Sequence, residues 1–117
     1  RCIRPEAMIP IEDAVHGDLA LSADIYEWVA DLCCQLGADR SDLVPFEKYA
    51  AAAASLKKPS SAARALFSGA QAVERVDRLV QRIARQFGRS HRCVDQTVSL
   101  VDARLAVNGE ERERIAA

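Results

Sequence analysis

The sequence predicts an all-α fold, arranged as a single-domain bundle of five to six helices. Three observations lead to this prediction. Apolar residues recur at spacings of three and four along nearly all of the 117 residues. No stretch of the sequence alternates apolar and polar residues for long enough to suggest a strand. Half of the residues are hydrophobic and 28% are charged, a composition typical of a globular domain with one core.

The first helical segments are bounded by proline, serine and glycine. The stretch RCIRPEAMIPIE, residues 1 to 12, resembles the interior of a helix that Pro5 and Pro10 interrupt. A second helix is predicted to begin at Ser22, whose hydroxyl can cap it. Gly37 is predicted to end that helix in a left-handed conformation.

The middle of the chain predicts a long helix followed by a short one. Asp42 can start the long helix, with Pro45 tolerated in its first turn, and Pro59 terminates it. The short helix is predicted from Ser61 to Phe67, and Gly69 supplies a turn that accepts positive φ.

The C-terminal third predicts two amphipathic helices. Residues 71 to 87 form the most strongly periodic segment, and Gly88 closes it. The last helix is predicted over residues 93 to 107, stopped by the Asn-Gly pair that follows. The predicted domain therefore comprises residues 1 to 109, and residues 110 to 117 are predicted to be a frayed tail.

Composition narrows the classes of function. A net charge of −1 gives no general attraction to nucleic acid or to an acidic membrane. No apolar run reaches the roughly 18 residues of a membrane span, and no signal peptide is recognisable, so a cytoplasmic location is predicted. The cysteines, at positions 2, 33, 34 and 93, lack metal-binding spacing and are predicted to be reduced thiols without a metal.

Motifs that bind phosphate or support catalysis are missing from the sequence. There is no glycine-rich phosphate loop, so any nucleotide must be bound outside this chain. His16 and His91 lie far apart without obvious partners and are predicted to have structural or solvated roles.

A stripe of arginines on the helix at 71 to 87 could contact phosphates. It consists of Arg75, Arg78, Arg82, Arg85 and Arg89. Because Glu74 and Asp77 interleave with it, the stripe is predicted to be a solvated or subunit-facing surface, and no nucleic-acid partner is expected.

Ser60 and Ser61 follow Pro59 directly. Either serine could simply cap the short helix. Two hydroxyls at a helix amino end also suit a carboxylate or a hydroxy acid, since unpaired N–H groups point the same way.

The stretch PSSAARALFSGAQAVERVDRLVQRIARQFG, residues 59 to 88, resembles the C-terminal domain of the ketopantoate reductase (2-dehydropantoate 2-reductase) family. The serine pair, the glycine-containing turn and the long helix ending in ARxxG occur in that family's order. RPEAMIPIEDAVHGDL and IYEWVADLCCQLG are similar to the first helices of the same domain. The likeness covers most of residues 1 to 107.

The resemblance implies a helical domain of the 6-phosphogluconate dehydrogenase C-terminal type in a two-domain enzyme. An upstream Rossmann domain, missing from this chain, would bind NADP(H). The family reduces 2-dehydropantoate to pantoate in pantothenate biosynthesis, and its catalytic lysine would precede Arg1. Because Arg1 is not an initiator methionine, the chain is expected to be a piece of a longer protein and to be inactive alone as an oxidoreductase. A homodimer is expected.

The resemblance also implies a set of substrate-binding residues, which are Arg4, Ser60, Ser61, Glu74 and Asp77. One serine of the pair matches the family's substrate-binding serine. Aligning the apolar positions places Ala72 at the family's glutamate, and a local shift would place Glu74 there. Asp77 stands where the family has the asparagine of an Asn-Gly pair, and Arg4 where it has Asn or Arg before proline.

Two other interpretations stay open at this point. The enzyme could act on a different 2-keto acid related to 2-dehydropantoate. Alternatively, the chain could be a non-catalytic helical module for dimerisation or protein interaction.

Overall fold

The computed structural model describes residues 1 to 116, and this part of the chain folds into six α-helices, which confirms the predicted all-α bundle. The helices are α1 (Ile11–His16), α2 (Leu19–Gln35), α3 (Phe46–Ala53), α4 (Ser61–Phe67), α5 (Val76–Gln86) and α6 (Arg92–Ala116). None of these helices combines the length and the apolar character needed to cross a membrane.

Residues 1 to 10 form a turn rather than the predicted interrupted helix. The Arg4 N–H donates to the Ala7 carbonyl, and the Ile9 N–H donates to the Cys2 carbonyl, both at 2.8 Å. Two prolines within ten residues remove the donors that a helix would need, so the helical prediction for this segment was wrong.

Helix α2 begins earlier than predicted because a different residue caps it. Asp18 accepts the Leu21 N–H at 3.0 Å, whereas Ser22 lies inside the helix and donates its hydroxyl to the Val15 carbonyl at 2.8 Å. The C-terminal stop is as predicted, with Gly37 at φ 105°.

Helix α3 begins at Phe46 and not at Asp42. A 3₁₀ turn over Arg40–Asp42 precedes it, and Pro45 takes the capping position with ψ 146°. Proline disfavours helical backbone in the residue before it, so a helix starting at Asp42 could not continue through this position. Helix α4, in contrast, spans the predicted Ser61–Phe67 and is followed by Gly69 at φ 98°.

Helix α5 begins five residues after the predicted start at position 71. Residues 71 to 75 are not helical, and exposed and half-buried side chains alternate from position 72 to position 75. Val73 and Arg75 are the half-buried residues of this segment. Burial of these two side chains in a non-helical backbone is favoured over the helix that the sequence pattern predicted. Gly88, at φ 67°, ends α5 as predicted.

Helix α6 runs through Asn108 and Gly109, which were predicted to stop it, and continues to Ala116. Asn108 is 5% exposed, and its Nδ2 donates to the carbonyls of Leu66 and Ala70, both at 2.8 Å. The asparagine therefore caps the end of α4 from within a continuous helix. Residues 110 to 116, predicted to be a frayed tail, are helical; residue 117 lies outside the described part.

The molecule is a slab that measures 54 × 34 × 20 Å, with a radius of gyration of 15.7 Å. A compact domain of this length would have a radius of gyration of about 13 Å. Because a helix with its side chains is about 10 Å across, the slab is two helices thick. Helix α6 packs on α4 and α5, and α1 packs on α2 and α3.

Candidate functional site

A cavity of about 390 Å³ lies where the N-terminal turn, the starts of α4 and α5, and the middle of α6 meet. Its polar lining residues are Arg1, Ser60, Glu74, Asp77 and Thr97. We call it the serine cavity. Three of the residues assigned to substrate from the sequence, Ser60, Glu74 and Asp77, thus line one space.

The two adjacent serines have different surroundings. Ser60 is half-buried and caps α4, its Oγ accepting the Ala63 N–H at 3.3 Å. This hydrogen bond leaves the hydroxyl proton of Ser60 available to a ligand. Ser61 is the first residue of α4, is exposed, and does not line the serine cavity. Only the first serine of the pair is therefore positioned at the site.

Glu74 lines the serine cavity from an exposed position, whereas Ala72 is exposed and does not line it. Ala72 also lies before α5, since the helix begins only at Val76. Glu74 belongs to the non-helical segment before α5 and lines the cavity from there.

Asp77 lines the serine cavity, but its carboxylate is bound to Arg75. Arg75 Nε donates to Oδ1 at 3.2 Å and Nη2 donates to Oδ2 at 3.0 Å, while Nη1 donates to Asp102 at 2.8 Å. Hydrogen bonding to Asp77 raises the pKa of the Arg75 guanidinium. The Asp77 charge is therefore neutralised, and this side chain acts as a fixed wall of the cavity.

Arg4 lies outside the serine cavity. It lines a neighbouring cavity of about 380 Å³ between the N-terminal turn and α6, together with Asp18 and Gln96. The two cavities share Arg1, Ile3 and Thr97. The structure thus does not bring Arg4 together with Ser60.

Two polar residues of the serine cavity were not identified from the sequence. Thr97 donates its hydroxyl to the Cys93 carbonyl at 2.8 Å, which leaves its oxygen able to accept a hydrogen bond. Thr97 adjoins the apolar positions of α6 and carries no sequence signal of its own. Arg1 reaches the cavity because the N-terminal turn folds back onto α1, a contact between segments distant in sequence.

Both histidines have structural partners. His91 Nδ1 accepts the Cys93 N–H at 3.0 Å, so Nε2 carries the proton and donates to Asp24 Oδ2 at 2.9 Å. His16 Nε2 lies 2.7 Å from the Ala50 carbonyl oxygen. Within residues 1 to 116 no three potential ligands among His, Cys, Asp and Glu cluster in a way that could hold a metal ion.

The arginine stripe does not form one surface. Arg75 turns inward to Asp77 and Asp102, and Arg89 donates to Gln35 Oε1 at 2.7 Å. The arginines on the exposed face of α5 are Arg78, Arg82 and Arg85. This shorter basic face lies beside the exposed Leu79.

The serine cavity can bind a small acid or hydroxy acid. A serine hydroxyl, a threonine oxygen and a guanidinium provide hydrogen bonds, and Glu74 can accept from a ligand hydroxyl at the rim. No lysine lines this cavity in the described part of the chain. Its residues are therefore suited to binding and orienting a ligand.

Comparison with protein-family models, with curated proteins and with solved structures found no match to this chain. The interpretation of the serine cavity consequently depends on its own residues and geometry.

Proposed function

We propose that this chain is the substrate-binding and dimerisation domain of an NADP(H)-dependent oxidoreductase that resembles ketopantoate reductase and reduces a 2-keto acid, such as 2-dehydropantoate. The proposal is supported by one observation above all. Ser60, Glu74 and Asp77, assigned to substrate from the sequence, line a single cavity although they belong to different elements.

In this proposal the residues of the chain orient the acid. The Ser60 hydroxyl donates to the substrate carboxylate or hydroxyl, and the Arg1 guanidinium attracts the carboxylate. Glu74 accepts from a substrate hydroxyl at the rim. NADP(H), bound mainly by an upstream Rossmann domain, supplies the hydride.

A pair of serine variants tests this assignment. We expect Ser60→Asp to weaken binding of 2-dehydropantoate at least tenfold, because a new carboxylate would face the anionic ligand inside the cavity. Aspartate caps helices as well as serine does, so α4 should stay folded. Isothermal titration calorimetry on the chain measures the affinity.

Ser61→Asp is the matched control, since it makes the same change in net charge one residue away, outside the cavity. Its affinity for 2-dehydropantoate should equal that of the unmodified chain. Equal weakening by both variants, or no binding of any 2-keto acid to the unmodified chain, would contradict the proposal.

A second candidate is a non-catalytic module for dimerisation or protein interaction, and the distribution of charge favours it. Residues 1 to 56 contain ten acidic and four basic side chains, a net charge of −6, and residues 57 to 117 contain seven acidic and twelve basic ones, a net charge of +5. A second copy in antiparallel orientation would place the basic face of α5 against an acidic half.

Self-association of this kind should depend on salt. We expect a dimer at low ionic strength that dissociates near 1 M salt. At that concentration the Debye length falls to about 3 Å, so charges on the two copies no longer attract each other. Light scattering coupled to size exclusion measures the mass. Arg82→Glu on the basic face should abolish the dimer, and Arg112→Glu in α6 should not; a monomer at every salt concentration would rule this mode out.

A further inference from the structure

A second and larger cavity, of about 730 Å³, lies between α1, α2 and α3. Its walls are mainly apolar and include Ile25, Tyr26, Val29, Leu43 and Tyr49. We call it the tyrosine cavity. Its volume falls within the range of roughly 300–1,000 Å³ that is usual for pockets that bind small organic ligands.

The aromatic rings make this cavity suitable for apolar groups. The ring centroids of Tyr26 and Tyr49 are 4.9 Å apart, and the Tyr26 hydroxyl donates to the Val44 carbonyl at 2.7 Å. That hydrogen bond satisfies the polar end of Tyr26 and leaves its ring as apolar surface. Burial raises the pKa of the Tyr49 hydroxyl, as expected beside apolar walls.

The tyrosine cavity adjoins the serine cavity, because Arg1, Cys2 and Ser60 line both. Arg1 and Ser60 thus present polar groups to both spaces, so a ligand in the tyrosine cavity can place an acid group at them.

Arg1 carries an unneutralised charge at this junction. Its Nη2 donates to the Ala14 carbonyl at 2.9 Å and to the Ser22 hydroxyl at 3.3 Å, both neutral groups. Within residues 1 to 116 no carboxylate forms a salt bridge with the Arg1 guanidinium. A guanidinium held in this way is suited to a carboxylate ligand.

We infer that the substrate is a 2-keto acid with a long apolar or aromatic substituent, whose carboxylate binds at Arg1 and Ser60 and whose substituent occupies the tyrosine cavity. This inference rests on the proposed function and deepens it. A substrate as small and branched as 2-dehydropantoate would leave the larger cavity unfilled.

A series of 2-keto acids tests the inference by calorimetric titration of the chain. From pyruvate to 2-oxohexanoate and 2-oxooctanoate, we expect the affinity to rise about fourfold for each methylene that enters the apolar space. Leu43→Asp, in a loop that lines the tyrosine cavity, should remove this gain and leave pyruvate binding unchanged. Leu36→Asp is the control, because Leu36 is exposed and lines neither cavity.

The possible outcomes separate the two proposals. Equal affinity along the series, with binding that still requires Ser60, would overturn the apolar-substituent inference and leave the proposed function standing. Octanoate binding as tightly as 2-oxooctanoate would overturn the proposed function and leave the tyrosine cavity as an acyl site. If none of the 2-keto acids binds, both proposals fail.

Discussion

Replacing Leu66 with alanine is expected to lower the free energy of unfolding by about 2–5 kcal/mol, the usual cost of truncating a buried leucine. Leu66 is 0% exposed and is the largest fully buried side chain of the described residues. It belongs to α4, which packs on α6. The substitution removes apolar surface from this contact and leaves a void that two layers of helices cannot readily close.

Urea denaturation followed by circular dichroism measures the effect of the Leu66 substitution. Leu36→Ala is the control, because Leu36 is 57% exposed and its truncation should change the free energy of unfolding by about 0.5 kcal/mol or less. Similar losses in both variants would mean that α4 is not packed in the core. Since Ser60 caps α4, a loosened helix should also weaken ligand binding at the serine cavity.

Asn108→Ala is expected to lower the free energy of unfolding by about 1–3 kcal/mol, the penalty for leaving buried polar groups without partners. The Asn108 amide donates to the carbonyls of Leu66 and Ala70, and the substitution removes both hydrogen bonds. Alanine is a better helix former than asparagine, so the substitution should slightly stabilise α6 itself. Any net loss of stability therefore reports the lost cap on α4.

Hydrogen exchange locates the effect of the Asn108 substitution. Amides near Ala70 should exchange faster in the variant, while protection across residues 110 to 116 should be retained. Gln86→Ala serves as the control, because it removes an exposed amide from α5 at little cost. Unchanged exchange of the amides near Ala70 would contradict the assignment of Asn108 as the cap of α4.

Local signals explain which elements could be predicted. Helix α4 begins and ends where it was predicted to, because Pro59, the Ser60 cap and Gly69 lie within a few residues of its ends. Gly37 and Gly88 ended helices as predicted for the same reason. Caps and left-handed turns depend on the backbone of adjacent residues, and the sequence displays those residues directly.

The serine cavity was predictable only in part. The family resemblance singled out Ser60, Glu74 and Asp77, which line it, and also Ser61 and Arg4, which do not. Adjacent serines look equivalent in sequence, and only the start of α4 fixes which hydroxyl faces the cavity. The pairing of Asp77 with Arg75 depends on non-helical backbone before Val76, where the apolar pattern predicted a helix.

The sequence by itself determined the all-α class, the span of α4 and the glycine stops, because periodicity and capping are properties of neighbouring residues. Tertiary structure alone decided that Asn108 caps α4 from inside α6, that α5 begins at Val76, and that Arg1 joins two cavities. Each of these features depends on contacts between residues far apart in the chain. The free energy gained from burial and hydrogen bonding at such contacts exceeds the local conformational preference of each segment. It cannot be read from the sequence of one segment alone.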